Sequence, residues 1–120
     1  MNRSLRIVAV LAALVLPALV WAQSRETQVR TVRGTVVDKQ SNPMSGGIVY
    51  LKNLKTQVIR TYISDDAGLY RFSGLDPNVD YELHAETKDL TSTTRTISSF
   101  DSRKDIVLII KIDKPKSGKQ

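Results

Sequence analysis

Few residues of this 120-residue chain could take part in catalysis or bind a metal ion. The only histidine, His84, stands between Glu82 and Glu86, and the alternation of a β-strand would place all three side chains on one surface stripe. Three such donors can in principle bind a metal ion. Side chains two residues apart on a strand are separated by about 7 Å, however, so they do not easily converge on one ion. We therefore interpret the stripe as a solvated surface and predict no metal ligand, no cofactor and no catalytic residue.

Three aspartates form a second group of possible ligands. Asp38, at the end of the first predicted strand, and Asp65 and Asp66, in a predicted turn, could approach one another at one end of a small β-sandwich. Calcium needs about six to eight oxygen ligands. Capping of the turns is the simpler interpretation, because an Asp side chain readily accepts hydrogen bonds from the backbone two residues further on. Calcium binding by Asp65 and Asp66 stays open as an alternative.

Exposed aromatic rings are the third kind of candidate, since flat rings can bind sugars. The only tryptophan, Trp21, lies in an apolar N-terminal segment that we expect to be removed. Tyr50 and Tyr62, both predicted to face outward, are then the candidates for a carbohydrate-binding surface. Packing between neighbouring strands is the alternative role for these two rings.

The elements that must position these residues are short β-strands separated by turns rich in Gly, Pro, Asn and Asp. After the N-terminal segment, helical periodicity is absent. Seven strands of ordinary length predict an all-β fold, a seven-stranded antiparallel Greek-key β-sandwich. The sixth strand is polar and is expected at a sheet edge. We place the strands at about 29–38, 47–53, 57–64, 69–73, 81–87, 92–98 and 105–112.

Five residues are predicted to have structural roles. Gly34, in the middle of the first strand, indicates a bulge or the close approach of another backbone. Asp65 and Gly68 belong to a hairpin turn, with Gly68 in a position that favours positive φ. Pro77 turns a crossover that ends at Tyr81, an arrangement typical of a tyrosine corner, in which the hydroxyl bonds to the upstream backbone.

The last strand is apolar on both faces. Val107 and Ile109 alternate with inward residues, so their face should be polar if it met only solvent. A loop, the N-terminal lead-in or tyrosine side chains could cover it. The other interpretation is a contact with a partner or a second copy of the chain, for which Val107 and Ile109 would form the surface.

The N-terminus predicts export. Two arginines, Arg3 and Arg6, precede an uncharged run at 7–20. The run is about the length of a signal-peptide core and is short for a membrane span. We interpret 1–22 as a cleaved signal peptide, 23–28 as a flexible lead-in, 29–112 as the sandwich and 113–120 as a Lys-rich flexible tail. A retained anchor is the alternative for 1–22.

Composition is consistent with a small extracytoplasmic domain. The chain has no cysteine, so its core must be stable without disulfides. Loss of Arg3 and Arg6 leaves 16 basic against 12 acidic residues, scattered along the strands, which is not typical of a nucleic-acid-binding surface. We expect neither a nucleic-acid partner nor a membrane span after cleavage, and a periplasmic or secreted location.

A series of motifs marks the predicted strands and turns: Gly34-x-Val36-x-Asp38, Asn42-Pro43-Met44, Gly47-x-Val49-x-Leu51, Asp65-x-x-Gly68-x-Tyr70-x-Phe72, Gly74-Leu75-x-Pro77 and Tyr81-x-Leu83. This series resembles the carboxypeptidase regulatory-like domain, a transthyretin-like (prealbumin-like) family. The resemblance implies a seven-stranded sandwich and a non-catalytic module. The expected function is therefore non-enzymatic binding of an envelope or secreted protein at the cell envelope. A carbohydrate-binding module is the alternative, and a transthyretin-like hydrolase is less favoured.

Overall fold

The computed structural model describes residues 29–116, and these residues form an all-β sandwich without helices. The predicted fold class is confirmed. No helix that could cross a membrane is found in this part of the chain. The strands are β1 (Arg30–Val37), β2 (Ile48–Asn53), β3 (Ile59–Ile63), β4 (Leu69–Leu75), β5 (Tyr81–Glu86), β6 (Leu90–Ser92), β7 (Arg95–Ile97) and β8 (Asp105–Pro115).

The strands form two layers joined through β8. Sheet A contains β4, β1 and the first part of β8, and sheet B contains β3, β2, β5 and β7. The end of β8 pairs with β6, which also pairs with β5, so that a continuous path of hydrogen-bonded strands runs from β3 to β4. The two ends of this path, β3 and β4, are open edges of the described sandwich, and β7, which lies off the path, pairs with β5 alone.

The core lies between the layers and follows from the alternation of apolar residues. In β5, Tyr81, Leu83 and Ala85 are buried while the intervening residues are half-buried, as the sequence pattern predicts. The same alternation turns one side of β2, β4 and β8 inward. The largest fully buried side chains of the described residues are those of Tyr70, Leu51, Leu83, Ile106, Ile110, Ile112, Val32, Val36 and Val49, and Ala85 is buried with them.

The structure has eight strands because the predicted sixth strand is divided in two. The hydroxyl of Ser92 accepts a hydrogen bond from the N–H of Ala85 and donates one to the carbonyl of Thr93, so Ser92 binds locally at the point where β6 ends. β6 also lies between β5 and β8 and is not an edge. The edge expected at 92–98 is confirmed for β7, which pairs with β5 alone, and is wrong only for Ser92, which belongs to β6.

One strand pair is parallel, which the antiparallel sandwich predicted from sequence did not include. β1 and β8 run in the same direction, from the pair Thr31 and Asp105 to the pair Val37 and Lys111. Their close approach centres on Gly34, where an added Cβ would lie 1.8 Å from the carbonyl oxygen of Leu108. The register shift of β1 against β4 falls earlier, between Arg30 and Val32.

β8 ends at Pro115, three residues beyond the strand predicted to end at 112. Leu90 and Thr91 of β6 pair with Pro115 and Lys114, so the start of the predicted flexible tail is part of the sheet. Hydrophobic alternation stops at Ile112, and for this reason the sequence pattern gave no sign of the extension. The predicted signal peptide at 1–22 and lead-in at 23–28 lie outside the described residues.

Candidate functional site

The outer face of sheet A has an apolar patch, which we call the A-face patch: Leu69, Val107 and Ile109. The register places Leu69 and Ile109 on either side of Thr35, while Val107 lies beside Arg33. The three apolar residues are 48%, 51% and 63% exposed. Tyr62 and Tyr70 line the same cavity as Val107, but within the described sandwich Val107 and Ile109 each keep more than half of their surface exposed.

A charged pair borders this patch. The guanidinium of Arg33 donates hydrogen bonds to both carboxylate oxygens of Asp105, the shortest at 2.9 Å. These bonds raise the pKa of Arg33 and lower the pKa of Asp105. A cavity of about 370 Å³ adjoins the pair and is lined by Arg33, Gly34, Leu69 and Val107 among others. The patch is thus an apolar surface with a fixed polar border.

Tyr50 lies on the other outer surface, that of sheet B. Its ring stacks on the imidazole of His84, with centroids 4.9 Å apart and planes inclined by 13°. The stack forms part of a shallow groove of about 270 Å³, which Lys52, Ile59 and Glu82 also line. We call this the B-face groove. The B-face groove presents the half-buried rings of Tyr50 and His84, with Glu82 and Lys52 as its acidic and basic lining residues.

His84 also belongs to a small charged network. Its Nε2 lies 3.0 Å from Glu86, whose other carboxylate oxygen is 3.3 Å from the ammonium of Lys116. Burial alone would raise the pKa of Glu86, but the contacts with His84 and Lys116 outweigh it, and the pKa is lowered. Among residues 29–116 we find no group of three carboxylate or imidazole side chains arranged to hold a metal ion.

Tyr62 does not share the outer face with Tyr50. It is paired with Val49 and therefore points to the inner side of sheet B, where its ring meets the edge of Phe72 at a centroid distance of 6.0 Å. The outward face expected for both tyrosines is not formed, because the register of β3 against β2 sends the two rings to opposite sides. Tyr62 keeps 40% of its surface exposed at the side of the sandwich.

The predicted turn residues act on the backbone. Oδ1 of Asp65 accepts hydrogen bonds from the N–H groups of Ala67 and Leu69, and Gly68 has a φ of 79°. Asp38 holds its own turn in the same way, through the N–H groups at 40 and 42. The carboxylate of Asp66 accepts a 3.3 Å bond from the hydroxyl at 45.

The crossover before β5 is fixed by Tyr81. Its buried hydroxyl accepts a 2.9 Å hydrogen bond from the N–H of Asp76, five residues upstream. The carbonyl of Pro77 in the same crossover accepts a bond of 3.4 Å from Arg30. This is the geometry of a tyrosine corner.

Sequence reasoning missed the burial of Arg30. Arg30 is only 4% exposed, and its Nε and Nη2 atoms find no hydrogen-bond partner among residues 29–116. The available signal was alternation, because Arg30 has the same parity as Val32 and Val36, which point inward. A charged residue at such a position is normally assigned to the surface.

With this geometry in view, comparison with known proteins supports the fold. The major pilin subunit BcpA of Bacillus cereus superposes with a TM-score of 0.57 at 17% identity, over 72% of this chain and 30% of the pilin. The shaft pilin spaA of Lactobacillus rhamnosus GG (D295N mutant) gives 0.57 at 12% identity, over 73% of this chain and 49% of that one.

Enzymes share the same architecture. Catechol 1,2-dioxygenase from Pseudomonas arvilla C-1 superposes with a TM-score of 0.55 at 13% identity, over 76% of this chain and 54% of the enzyme. The chain thus spans about a third to a half of these structures, and at such identities the likeness concerns the fold alone. Comparison with curated proteins gives no match.

The sequence itself identifies the family. The profile of the carboxypeptidase regulatory-like domain matches residues 31–109, nearly the whole sandwich from β1 into β8. The resemblance that the motifs indicated is confirmed, and the chain belongs to the carboxypeptidase regulatory-like domain family.

Proposed function

We propose that this protein is a non-catalytic, extracytoplasmic module that binds an envelope or secreted protein through the A-face patch. The observation on which the proposal rests is the exposure of Val107 and Ile109 on a strand whose other face is core. A strand with one face on the core and the other in water normally alternates apolar with polar residues. Exposed apolar clusters typically mark protein contacts. Family membership supports the proposal, as does the N-terminal pattern of an exported protein.

The environments of the polar residues support a non-catalytic role. A hydrolytic site needs a base placed against a nucleophile or a metal. The one histidine of the chain is instead stacked on Tyr50 and bound to Glu86. Asp38 and Asp65 accept bonds from their own turns, and Asp66 accepts a bond from the hydroxyl of Ser45. These side chains are engaged in holding the sandwich rather than directed into a shared pocket.

The test uses charge substitution at the patch. Envelope proteins encoded beside this chain would be immobilised, and binding of the full-length, natively exported protein would be measured by interferometry. We expect the double variant Val107→Lys/Ile109→Lys to lose binding while its far-UV circular dichroism stays native. Thr96→Lys is the control for an introduced lysine, since it adds one positive charge at an exposed position of sheet B. Equal binding by wild type and double variant would contradict the proposal, and so would loss of folding, which would make the face part of the core.

Carbohydrate binding is a second candidate because of the B-face groove. The stacked pair Tyr50 and His84 offers an aromatic surface, with Lys52 and Glu82 available as hydrogen-bond partners for hydroxyl groups. A glycan-array signal that is abolished by Tyr50→Ala, but kept by Val107→Lys/Ile109→Lys, would favour this function. Retention of the signal in Tyr50→Ala would exclude the groove as its site.

A further inference from the structure

β3 is an open edge with an apolar outer side. All five of its residues, Ile59–Ile63, are exposed, and within the described chain the strand pairs with β2 alone. On the outer side of sheet B, Ile59 is 55% exposed and Ile63 is 66% exposed, with Thr61 between them. That side of β3 has neither a charged residue nor a proline, the features that usually protect an edge from pairing.

The hydrogen bonds beside β3 show which of its backbone groups are free. Ser64 donates its N–H to the carbonyl of Gly47, and Asn53 donates to the carbonyl of Val58. Because the bonded positions alternate along an antiparallel pair, the residues at 60 and 62 also bond toward β2. The N–H and C=O groups of Ile59, Thr61 and Ile63 therefore point away from the sheet.

β4, the edge at the other end of this path of strands, has part of its outward-pointing backbone groups occupied, among them the N–H of Leu69, which donates to Asp65. The carbonyl of Leu69 accepts a 3.1 Å hydrogen bond from the N–H of Asp65, and the carbonyl of Ser73 accepts a 3.0 Å bond from the guanidinium of Arg60. Gly74, with a φ of 72°, also interrupts the extended backbone. These two edges thus differ, and β3 has more of its backbone free to accept another strand; β7, which pairs with β5 alone, is only three residues long.

The sequence of β3 is complementary to itself. If two copies pair antiparallel about Thr61, each Ile59 lies opposite an Ile63 and the two threonines face each other. Each of these pairs can exchange two hydrogen bonds, because all the residues involved are ones whose backbone groups point outward. Pairs of β-branched residues are favourable across strands. A register shifted by one residue would instead oppose groups already bonded to β2.

The inner side chains of β3 do not obstruct this pairing. Arg60 lies over the ring of Phe72, with its Cζ 5.5 Å from the ring centroid, and Tyr62 contacts the same ring. Both are held on their own sandwich, so the edge and the outer side alone are offered. We propose that β3 pairs with β3 of a second copy about a two-fold axis at Thr61, joining two B sheets into one. This interface differs from the A-face patch in both location and partner.

Cysteine crosslinking tests the register. The chain has no cysteine, so each introduced thiol reports on one position. Bonded residues facing each other in an antiparallel pair have Cα atoms about 5.5 Å apart, within the range that a disulfide spans. We expect full-length Thr61→Cys to form a covalent dimer on mild oxidation. Ile59→Cys alone should not, since its two copies would lie about 13 Å apart, whereas a mixture of Ile59→Cys and Ile63→Cys should crosslink.

Thr96→Cys, exposed on β7, is the control for random collision. Crosslinking of Thr61→Cys at no more than the Thr96→Cys rate would overturn the proposal. Faster crosslinking of Ile59→Cys with itself than with Ile63→Cys would also overturn the proposal, because that result requires a different register of the two strands.

A proline substitution tests the edge without cysteine. Thr61→Pro removes an N–H that faces away from β2, and proline is tolerated at such positions of edge strands. In sedimentation equilibrium we expect a concentration-dependent dimer for wild type and Thr61→Val, and its complete loss in Thr61→Pro. Val107→Lys/Ile109→Lys should keep the dimer, which separates this proposal from the proposed function. A wild-type monomer at all concentrations would overturn the inference, as would binding of a different protein's strand at β3 in place of the second copy.

Discussion

Strands β1 and β3 differ in how many neighbouring strands their backbones pair with. β1 lies between β4 and β8, and at Gly34 the backbone of β8 occupies the space where a side chain would be. β3 has a neighbour on one side only, and each of its residues is exposed. The sandwich thus contains one strand, β1, with no room for a side chain at Gly34, and another, β3, with an edge free for pairing with a further strand.

The difference separates stability from association. Contacts around β1 are formed within the chain and are lost on unfolding, so substitutions there should change the free energy of unfolding. The outward groups of β3 are solvated in the single chain and should affect association instead. The comparison is broken if β1 variants unfold like wild type, or if β3 variants are as unstable as β1 variants.

The largest effect is expected for Gly34→Ala. The new Cβ would lie 1.8 Å from the oxygen and 2.7 Å from the carbon of the Leu108 carbonyl, and since these are backbone atoms, no side chain can move to make room. β8 would have to separate from β1, and we expect a loss of more than about 3 kcal/mol in the free energy of unfolding. Urea denaturation followed by far-UV circular dichroism measures it.

Thr61→Val, on the exposed edge, is the matched control and should stay within about 0.5 kcal/mol of wild type. A Gly34→Ala protein as stable as this control would contradict the close approach of β1 and β8.

The next effect concerns the hydroxyl of Tyr70, which joins β4 to β8 across β1. It is buried and donates a 2.8 Å hydrogen bond to the carbonyl of Leu108; burial raises its pKa, with a smaller opposing influence of Arg95. Tyr70→Phe would leave that carbonyl without this partner, at a cost of about 1–3 kcal/mol. Urea midpoints provide the measurement, with Tyr62→Phe at the side of the sandwich as control. An equal change in both variants would show that the bond contributes nothing specific.

Much of this contrast was accessible from sequence. A glycine inside an apolar strand indicated the close approach at Gly34, and strict alternation identified the buried side of β5. The pairing of β1 with β8 was not accessible, because it joins segments more than 70 residues apart in the chain and no local pattern encodes a non-local parallel pair.

The face of Tyr62 was inaccessible for another reason. β3 has apolar residues on both sides, so alternation alone does not say which side meets the core, and only the register against β2 decides. Likewise, the choice of β3 rather than β4 as the freer edge depends on which carbonyls of β4 accept hydrogen bonds. Those bonds are tertiary contacts, which the sequence does not reveal.

A moderate effect is expected at the tyrosine corner, between the two extremes. Tyr81→Phe removes the acceptor of the Asp76 N–H and should destabilise the sandwich by about 0.5–1.5 kcal/mol, the net contribution of one such bond. Thermal or urea unfolding against Tyr50→Phe, whose ring stacks on the surface, is the measurement. An unchanged midpoint in Tyr81→Phe would show that the crossover is held by packing alone.

The smallest effect concerns the ion pair that links β1 and β8 on the outer side. Hydrogen bonds from Arg33 keep the pKa of Asp105 below its ordinary value of 3.8. A carboxyl whose pKa is lower in the folded state stabilises that state above its unfolded pKa, and the contribution is lost as pH falls through the folded value. Both side chains are about half exposed, so solvent screens the pair and the difference from Asp105→Asn should be small. We expect wild type to melt slightly above Asp105→Asn at pH 7 and low salt, and the two curves to converge in high salt or as the pH falls below the lowered pKa of Asp105. A difference in melting temperature that persists in acid would mean that Asp105 stabilises the β1–β8 junction by packing rather than by charge. The junction would then be held by close packing at Asp105 as it is at Gly34.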